Sequence, residues 1–243
     1  MMKRLSILLD DLAYIRSIFT EGIVDPVRYG ILAENAGVNG LVCTFSGSTK
    51  GISEKDLRLL KEMNRSFLNI RIPLQNDAMR LVLSLAPDMV TFVEAESNNP
   101  RKVSPLELSA FPGDIEEMVP NLQSNNIAVA VLVRPEIDFL KAISKLSIDY
   151  VEIDASEFTS APDINDEIVA LDKIKSAALA VGKWGIGVNC SGDISFNDLA
   201  SLVEVPNLED IILGSQFIQR SVYAGIDRSV QEALEIIRSR ELK

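Results

Sequence analysis

The chain contains no histidine. That absence removes the side chain whose unperturbed pKa lies nearest neutrality, so any proton transfer falls to a retuned carboxylate, lysine, tyrosine or cysteine. Cysteine is scarce as well. Cys43 and Cys190 are the two present, far apart and each in or just after an apolar run, which reads as buried free thiols and offers no metal-ligand spacing. No metal and no cofactor are expected. Basic residues are short in number, 24 against 35 acidic, for a formal charge of −11; this argues against a nucleic-acid or anionic-membrane surface. Long hydrophobic runs are also missing. The apolar run in the opening MMKRLSILLDD stops at Asp10, too short for a signal peptide or a bilayer span, and a cytoplasmic protein is expected by elimination.

What is present is a core's worth of apolar residues, 47% of 243, enough for one barrel-sized domain. They fall into short runs that alternate with helical patterns. The runs are Arg4 to Asp10, Asn39 to Thr44, Phe67 to Ile72, Asp88 to Val93, Ile127 to Val133, Asp149 to Asp154, Lys183 to Asn189 and Asp210 to Gly214. Between them lie helical stretches with recognisable starts: Asp25-Pro26, Ser53, Asn76-Asp77, Asp114, Pro135, and Ser195 or Asn197. A last helix runs from about Ile226 to Arg240. Alternation of this kind implies βαβ units and a parallel sheet, and eight of them imply an α/β fold made of a single (β/α)8 (TIM) barrel spanning the chain. One polar insert, Glu94 to Gly113, interrupts the pattern after the fourth run; loops of that length are commonly functional.

Alternation along each strand assigns faces. Val151 and Ile153 turn to the helices, which leaves Tyr150, Glu152 and Asp154 inward. By the same reasoning Asn69 and Arg71 point in from the third strand, and Gly185, Gly187 and Asn189 from the seventh. Arg134, Asp10 and Thr44 stand at strand ends. The barrel mouth should therefore collect Asp10, Thr44, Arg71, Arg134, Glu152, Asp154 and Asn189. In such barrels the loops after strands seven and eight commonly bind phosphate, and here they read Cys190-Ser191-Gly192-Asp193 and Gly214-Ser215-Gln216. Small residues there leave backbone N–H groups free to meet an anion. Two readings stand: a structural ion-pair network of Arg71 with Glu152 or Asp154, or an anion site built on Ser191, Gly192, Gly214, Ser215 and the two arginines.

Several motifs in order resemble pyridoxine 5'-phosphate synthase, a (β/α)8 enzyme family of vitamin B6 biosynthesis. LLDDLAYIR at 8–16 is similar to the family's NIDHIATLR, and VDPV stands at 24–27. AENAGVNGLVCTF at 33–45 resembles AEQAGADGITVHL, and YVEIDASEF at 150–158 resembles FIEIHTGCY. GVNCSGD at 187–193 resembles VNAGHGL, and DIILGSQFIQRSV at 210–222 resembles ELNIGHAIIGRAV. The resemblance implies family roles for Asp10, Arg16, Glu152, Asn189 and Gly214, and a homo-oligomer. It also exposes replacements. The family's first-strand asparagine is Leu8, and the histidine beside Asp10 is Asp11. The second-strand histidine, the arginine two residues on and a further loop histidine are Thr44, Ser46 and Gly51. The third-strand glutamate is Arg71, and the aspartate ending the fifth strand is Arg134. The sixth-strand histidine is Asp154, and those of the last two loops are Gly192 and Ser215.

The family's reaction joins 1-deoxy-D-xylulose 5-phosphate to an amino-ketone phosphate and needs repeated proton transfers. The expectation is therefore a divergent barrel that keeps a pocket for a phosphorylated small molecule or inorganic phosphate but has lost that acid–base chemistry. Two alternatives are carried with it. One is an active synthase or related enzyme that uses Glu152, Asp154 or Asp11 in place of histidines and Arg71 or Arg134 to hold an anion, and the other is a structural barrel without a ligand. Cys190 is read as a packing residue, since no cationic neighbour adjoins it in sequence.

Overall fold

The computed structural model describes residues 3–19, 24–96, 99–107 and 114–241. The barrel strands are β1 (Arg4–Leu8), β2 (Gly40–Thr44), β3 (Phe67–Ile72) and β4 (Met89–Phe92), then β7 (Ala128–Val133), β8 (Tyr150–Asp154), β9 (Gly187–Ser191) and β10 (Leu208–Leu213). All pair in parallel, and β1 pairs with both β2 and β10, so the sheet closes on itself. This is a (β/α)8 barrel. The remaining strands, β5 (Glu94–Glu96) and β6 (Asn99–Ser104), form an antiparallel hairpin within the polar insert. Residues 108–113 of that insert lie outside the described residues.

The outer face of the sheet is a continuous apolar layer. Leu5, Ile7, Leu68, Ile70, Val129, Val131, Val151, Ile153 and Val188 all join one core with the surrounding helices. Alternation predicts this set, because burial of one strand face against helices removes its apolar area from water. The floor of the barrel is pinned differently. Side chains just ahead of strands accept amide hydrogens from the neighbouring strand: Leu5 N–H to Asn39 at 2.9 Å, Leu68 N–H to Asp88 at 2.8 Å and Val129 N–H to Asp149 at 2.8 Å. Each satisfies a backbone donor that the parallel ladder leaves open at its start.

Helix starts follow their caps. Asp25 accepts from Val27 N–H ahead of α2 (Pro26–Ala36), with Pro26 in the first turn. Ser53 and Asp56 make a capping box on α3 (Glu54–Met63), as do Ser195 and Asp198 on α9 (Phe196–Leu202). Other helices are α4 (Asn76–Leu85), α5 (Asp114–Ser124), α6 (Ile137–Ile143), the short α7 (Ser156–Thr159) and α8 (Ile164–Lys183).

Four expected boundaries differ, and the differences matter for the site. The first strand stops at Leu8, and Asp10 opens a helix, α1 (Asp10–Ile18), with Asp10 and Asp11 at its positive end. The seventh strand is not 183–189 but Gly187–Ser191, because α8 runs on to Lys183 and Gly185 makes the turn at φ 75°. Gly185 is thus not an inward strand residue, and Cys190 and Ser191 are strand rather than loop. The eighth strand begins at Leu208, two residues early. The helical pattern after it is a helix of its own, α10 (Ser215–Ala224), which starts at Ser215 without an intervening loop and which Gly225 at φ 85° separates from α11 (Ile226–Glu241).

Inside the barrel the middle layer is polar: Ser6, Asn69, Thr91, Glu152, Asn189 and Asp210 are all buried. Ser6 Oγ donates to Asp210 at 2.8 Å and Thr91 Oγ1 to Asn69 at 3.0 Å. Burial lifts the Asp210 carboxyl to about 6 and the nearby Glu152 charge adds to the rise, while Arg4 and Ser6 pull the other way. A carboxyl raised in the folded state favours folding when protonated. Its contribution is complete below the ordinary value of 3.8 and disappears as pH climbs through about 6. Asp210→Asn, which cannot ionise, is expected to be more stable than the parent at about pH 8, by on the order of 2 kcal/mol, and equal to it at about pH 4. Urea unfolding at the two pH values checks this, and a gain of the same size at both would remove the ionisation argument.

Candidate active site

The C-terminal ends of the strands surround a cavity of about 230 Å³. The floor and wall come from strand ends: Leu8, Arg71, Leu132, Asp154, Ser191 and Ile212. One side is closed by the start of α1 with Asp10 and Asp11, and the opposite side by Gly192, Asp193, Gly214 and Ser215. The hairpin covers the opening with Arg101 and Val103, followed by Pro105. Arg101 Nε bonds to Asp11 at 2.9 Å, and its guanidinium lies 5.5 Å from the Tyr14 ring centre. A charge pair and a cation–π contact thus tie the insert to α1.

Beneath the cavity, Arg71 and Glu152 form a buried ion pair, with side chains 4% and 0% exposed. Ser191 Oγ donates to the same Glu152 oxygen at 2.6 Å. The three come from β3, β8 and β9, whose register places Glu152 beside Asn189 and Asp154 beside Ser191. Asp10 accepts the Thr44 amide at 2.7 Å. Burial outweighs that bonding and the charge of Arg71, Asp11 adds its repulsion, and the Asp10 carboxyl rises to about 6. Asp154 accepts from Ser156 N–H at 3.0 Å and Ser156 Oγ at 2.5 Å. Asp193 accepts from Gln216 Nε2 at 3.1 Å. The wall is therefore acidic, but each of its carboxylates already has a protein donor.

On the far side, α10 begins at Ser215 with Gly214 ahead of it and no side-chain cap. The first amides of a helix have no partner within it and carry its positive end. Gly192 sits at φ 121°, and a Cβ there would come within 2.8 Å of the Ala155 and Ser156 nitrogens. Only glycine lets the β9 and β8 loops approach this closely.

Of the residues expected at the mouth, Asp10, Arg71, Asp154, Ser191, Gly192, Gly214 and Ser215 line the cavity. Five others do not. Arg16 is turned away and clasps Asp56 with two bonds of 2.8 Å. Arg134 is on the surface and pairs with Glu107 at 3.1 Å, because β7 ends at Val133 and the chain leaves the barrel there. Thr44 is buried behind Asp10. Asn189 lies one layer down, its Nδ2 at 3.8 Å from Met89 Sδ. Glu152 is shut beneath Arg71, out of a ligand's reach. Conversely, Arg101, Ser156 and Asp193 line the cavity without having been picked out, and Asp11, carried as an alternative acid–base group, lines it too. Arg101 stood in the insert, whose length was the one available signal. Cys190 faces the helices and is buried and free; burial, with Glu152 and Asp154 nearby, pushes its thiol up, as expected of a packing residue. Among the described residues no three His, Cys, Asp or Glu side chains are placed to hold a metal ion.

The family model for "Pyridoxal phosphate biosynthesis protein PdxJ" matches residues 5–239. The chain belongs to that family. Pyridoxine 5'-phosphate synthase of Geobacter metallireducens is 30% identical over 237 residues, covering 98% of this chain and 99% of the relative. The synthase of Geotalea daltonii is 28% identical over the same length and coverage. Among solved structures, a mutant tryptophan synthase alpha-subunit from Pyrococcus furiosus superposes with TM-score 0.63 at 12% identity, covering 100% of both chains. Phosphoribosyl anthranilate isomerase of Thermotoga maritima gives 0.63 at 12% identity, covering 98% of this chain and 100% of the other. These last two show the shared barrel and nothing finer. Arg71, where the resemblance drawn from the sequence implies a glutamate, carries a positive charge and pairs with the buried Glu152.

Removing one member of a buried ion pair leaves the other charged in a poor solvent, at a cost of about 3 kcal/mol, whereas replacing both by apolar groups costs far less. Arg71→Met should lower unfolding free energy by that amount, and the double change with Glu152→Leu should recover most of it. A double-mutant cycle in urea checks the coupling, and additive losses would show that the pair is not a unit.

Proposed function

We propose that this PdxJ-family barrel binds a small phosphorylated molecule in the rim cavity and does not carry out the ring-forming reaction of pyridoxine 5'-phosphate synthase. The observation that carries the reading is the uncapped first turn of α10 at Gly214-Ser215, which faces Arg71 across a space of about 230 Å³. A phosphate on that turn meets backbone amides and the Ser215 hydroxyl, the arrangement that helix N-termini offer to anions. Asp10 and Asp11 at the start of α1 suit the other end of such a ligand, hydroxyls or an amine rather than a second phosphate. A formal charge of −11 fits a small-molecule site better than a nucleic-acid one.

Loss of the family reaction follows from supply of protons. Ring closure needs several groups that exchange protons near neutrality, and histidine is absent. Glu152 is engaged by Arg71 and Ser191 below the cavity, and Asp154 and Asp193 are each held by neighbours. Family membership also supports self-association. Ile164, Ile168 and Leu179 lie exposed along one side of α8, a face of the kind that a second copy covers. Among the described residues no helix is long and apolar enough to cross a membrane.

A thermal-shift screen over sugar phosphates and B6 vitamers should find a stabilising ligand, since binding to the folded state raises its stability by mass action. Ser215→Asp should abolish the shift while leaving the protein folded, because an acidic residue suits the first turn of a helix but repels phosphate. Incubation with 1-deoxy-D-xylulose 5-phosphate and the amino-ketone phosphate should yield no pyridoxine 5'-phosphate. Product at rates like those of the synthases would overturn the reading.

A further inference from the structure

Holding a phosphorylated ligand does not require a buried carboxylate beside the cationic wall; a carboxylate there weakens anion binding. Asp10 is nonetheless built into the cavity. It opens α1, and its Oδ1 is fixed by the Thr44 amide at 2.7 Å. Thr44 is the register partner of Arg71 on the neighbouring strand, and Asp10 and Arg71 both line the cavity. Arg71 is itself held from below by Glu152, which Ser191 also grips. Leu8, Leu132 and Ile212 line the same space and keep it poorly solvated.

We propose that Asp10 and Arg71 form an enolising pair, in which Asp10 takes a proton from the carbon beside the carbonyl of a small phosphorylated ketone or aldehyde and Arg71 meets the oxygen that gains charge. The proposal rests on the phosphate-ligand reading above. In the step, the C–H bond breaks and its electron pair forms the C=C bond of an enediolate. The carbonyl π pair moves onto oxygen, which the Arg71 charge stabilises. Asp10 then carries the proton and returns it to the same carbon, giving exchange; where the deprotonated carbon bears a hydroxyl, return to the neighbouring carbon, with the hydroxyl proton passing from one enediolate oxygen to the other, gives the isomer. Nothing is oxidised or reduced overall, and no further reactant is consumed.

The electrostatics suit a base working near neutrality. Burial places the Asp10 carboxyl at about 6, against the pull of Arg71 from β3 and with the repulsion of Asp11 from its own helix. Asp11 is in turn paired with Arg101 of β6, Asp154 and Asp193 line the same cavity, and the Cys43 thiol on β2 is pushed up by burial and so stays neutral. A single base of this kind supports one proton transfer at a time, which is what enolisation asks and what a multistep ring closure exceeds.

The test is hydrogen exchange into dihydroxyacetone phosphate in deuterated buffer, read by proton NMR, with saturation-transfer signals from the same sample reporting binding. The parent protein should accelerate loss of the signal from the carbon-bound protons beside the carbonyl. The rate should rise as pH increases through about 6 and then level off, because the ionised carboxylate is the base. Asp10→Asn, prepared identically to control for contaminating isomerases, should lose the acceleration by at least about 100-fold. Binding without exchange in the parent would overturn the proposal and leave the ligand reading intact, whereas absence of binding would overturn both. Exchange that survives in Asp10→Asn removes Asp10 from the step. A parent pH profile with no inflection near 6 does the same without any substitution.

Discussion

The Arg71–Glu152 pair is the contact on which the upper half of the barrel depends. Two charges leave water to sit at the centre of the sheet, and their mutual attraction recovers that loss only while both stay in place. Because the partners come from β3 and β8, which β4 and β7 separate in the closed sheet, the pair also ties non-neighbouring strands together through the barrel interior. Ser191 adds a third strand to the tie. The guanidinium is thereby fixed in position at the cavity floor, which a free arginine on a flexible stem would not be.

Around that fixed charge the cavity is assembled from elements that meet only in space. The α1 start supplies the carboxylates Asp10 and Asp11, the β8 and β9 loops supply Asp154 and Asp193, and the insert supplies Arg101. Most of these charges have partners before any ligand arrives, so the wall is organised rather than merely acidic. The helix starts of α1 and α10 both lack a side-chain cap, but α1 carries Asp10 and Asp11 in its first turn whereas α10 carries no acidic residue there. On the proposed reading that difference orients a ligand with distinct ends, with an anionic group toward α10 and hydroxyl, amine or carbonyl groups toward α1.

Much of the fold could be read from the order of residues. Apolar alternation in Val129-Ala130-Val131 or Tyr150-Val151-Glu152 shows which side meets the helices, because the strand period is two and only one face packs on them. Caps at Asp25, Ser53 and Ser195 are local hydrogen-bonding devices and act within a few residues. Boundaries failed where local and distant preferences competed. The run at 183–189 looked like a strand by composition, yet α8 continued to Lys183 and pairing with β8 set the strand to start opposite Tyr150.

The site divides along the same line. Asp10, Arg71, Asp154, Gly192, Gly214 and Ser215 were legible because position at a strand's C-terminal end is a property of the chain's own pattern, and the lack of histidine restricts chemistry whatever the fold. Which arginines reach the cavity was not legible. Arg16 and Arg134 stood at plausible places and were drawn to Asp56 and Glu107, while Arg101 entered from an insert with no pattern of its own. Long charged side chains go to whichever opposite charge the folded chain brings near, and that neighbour is chosen by closure of the barrel rather than by anything within reach along the sequence. The raised Asp10 carboxyl is of the same kind: its identity is written in the chain, but its burial, and so its proton affinity, comes only from the walls that assemble around it.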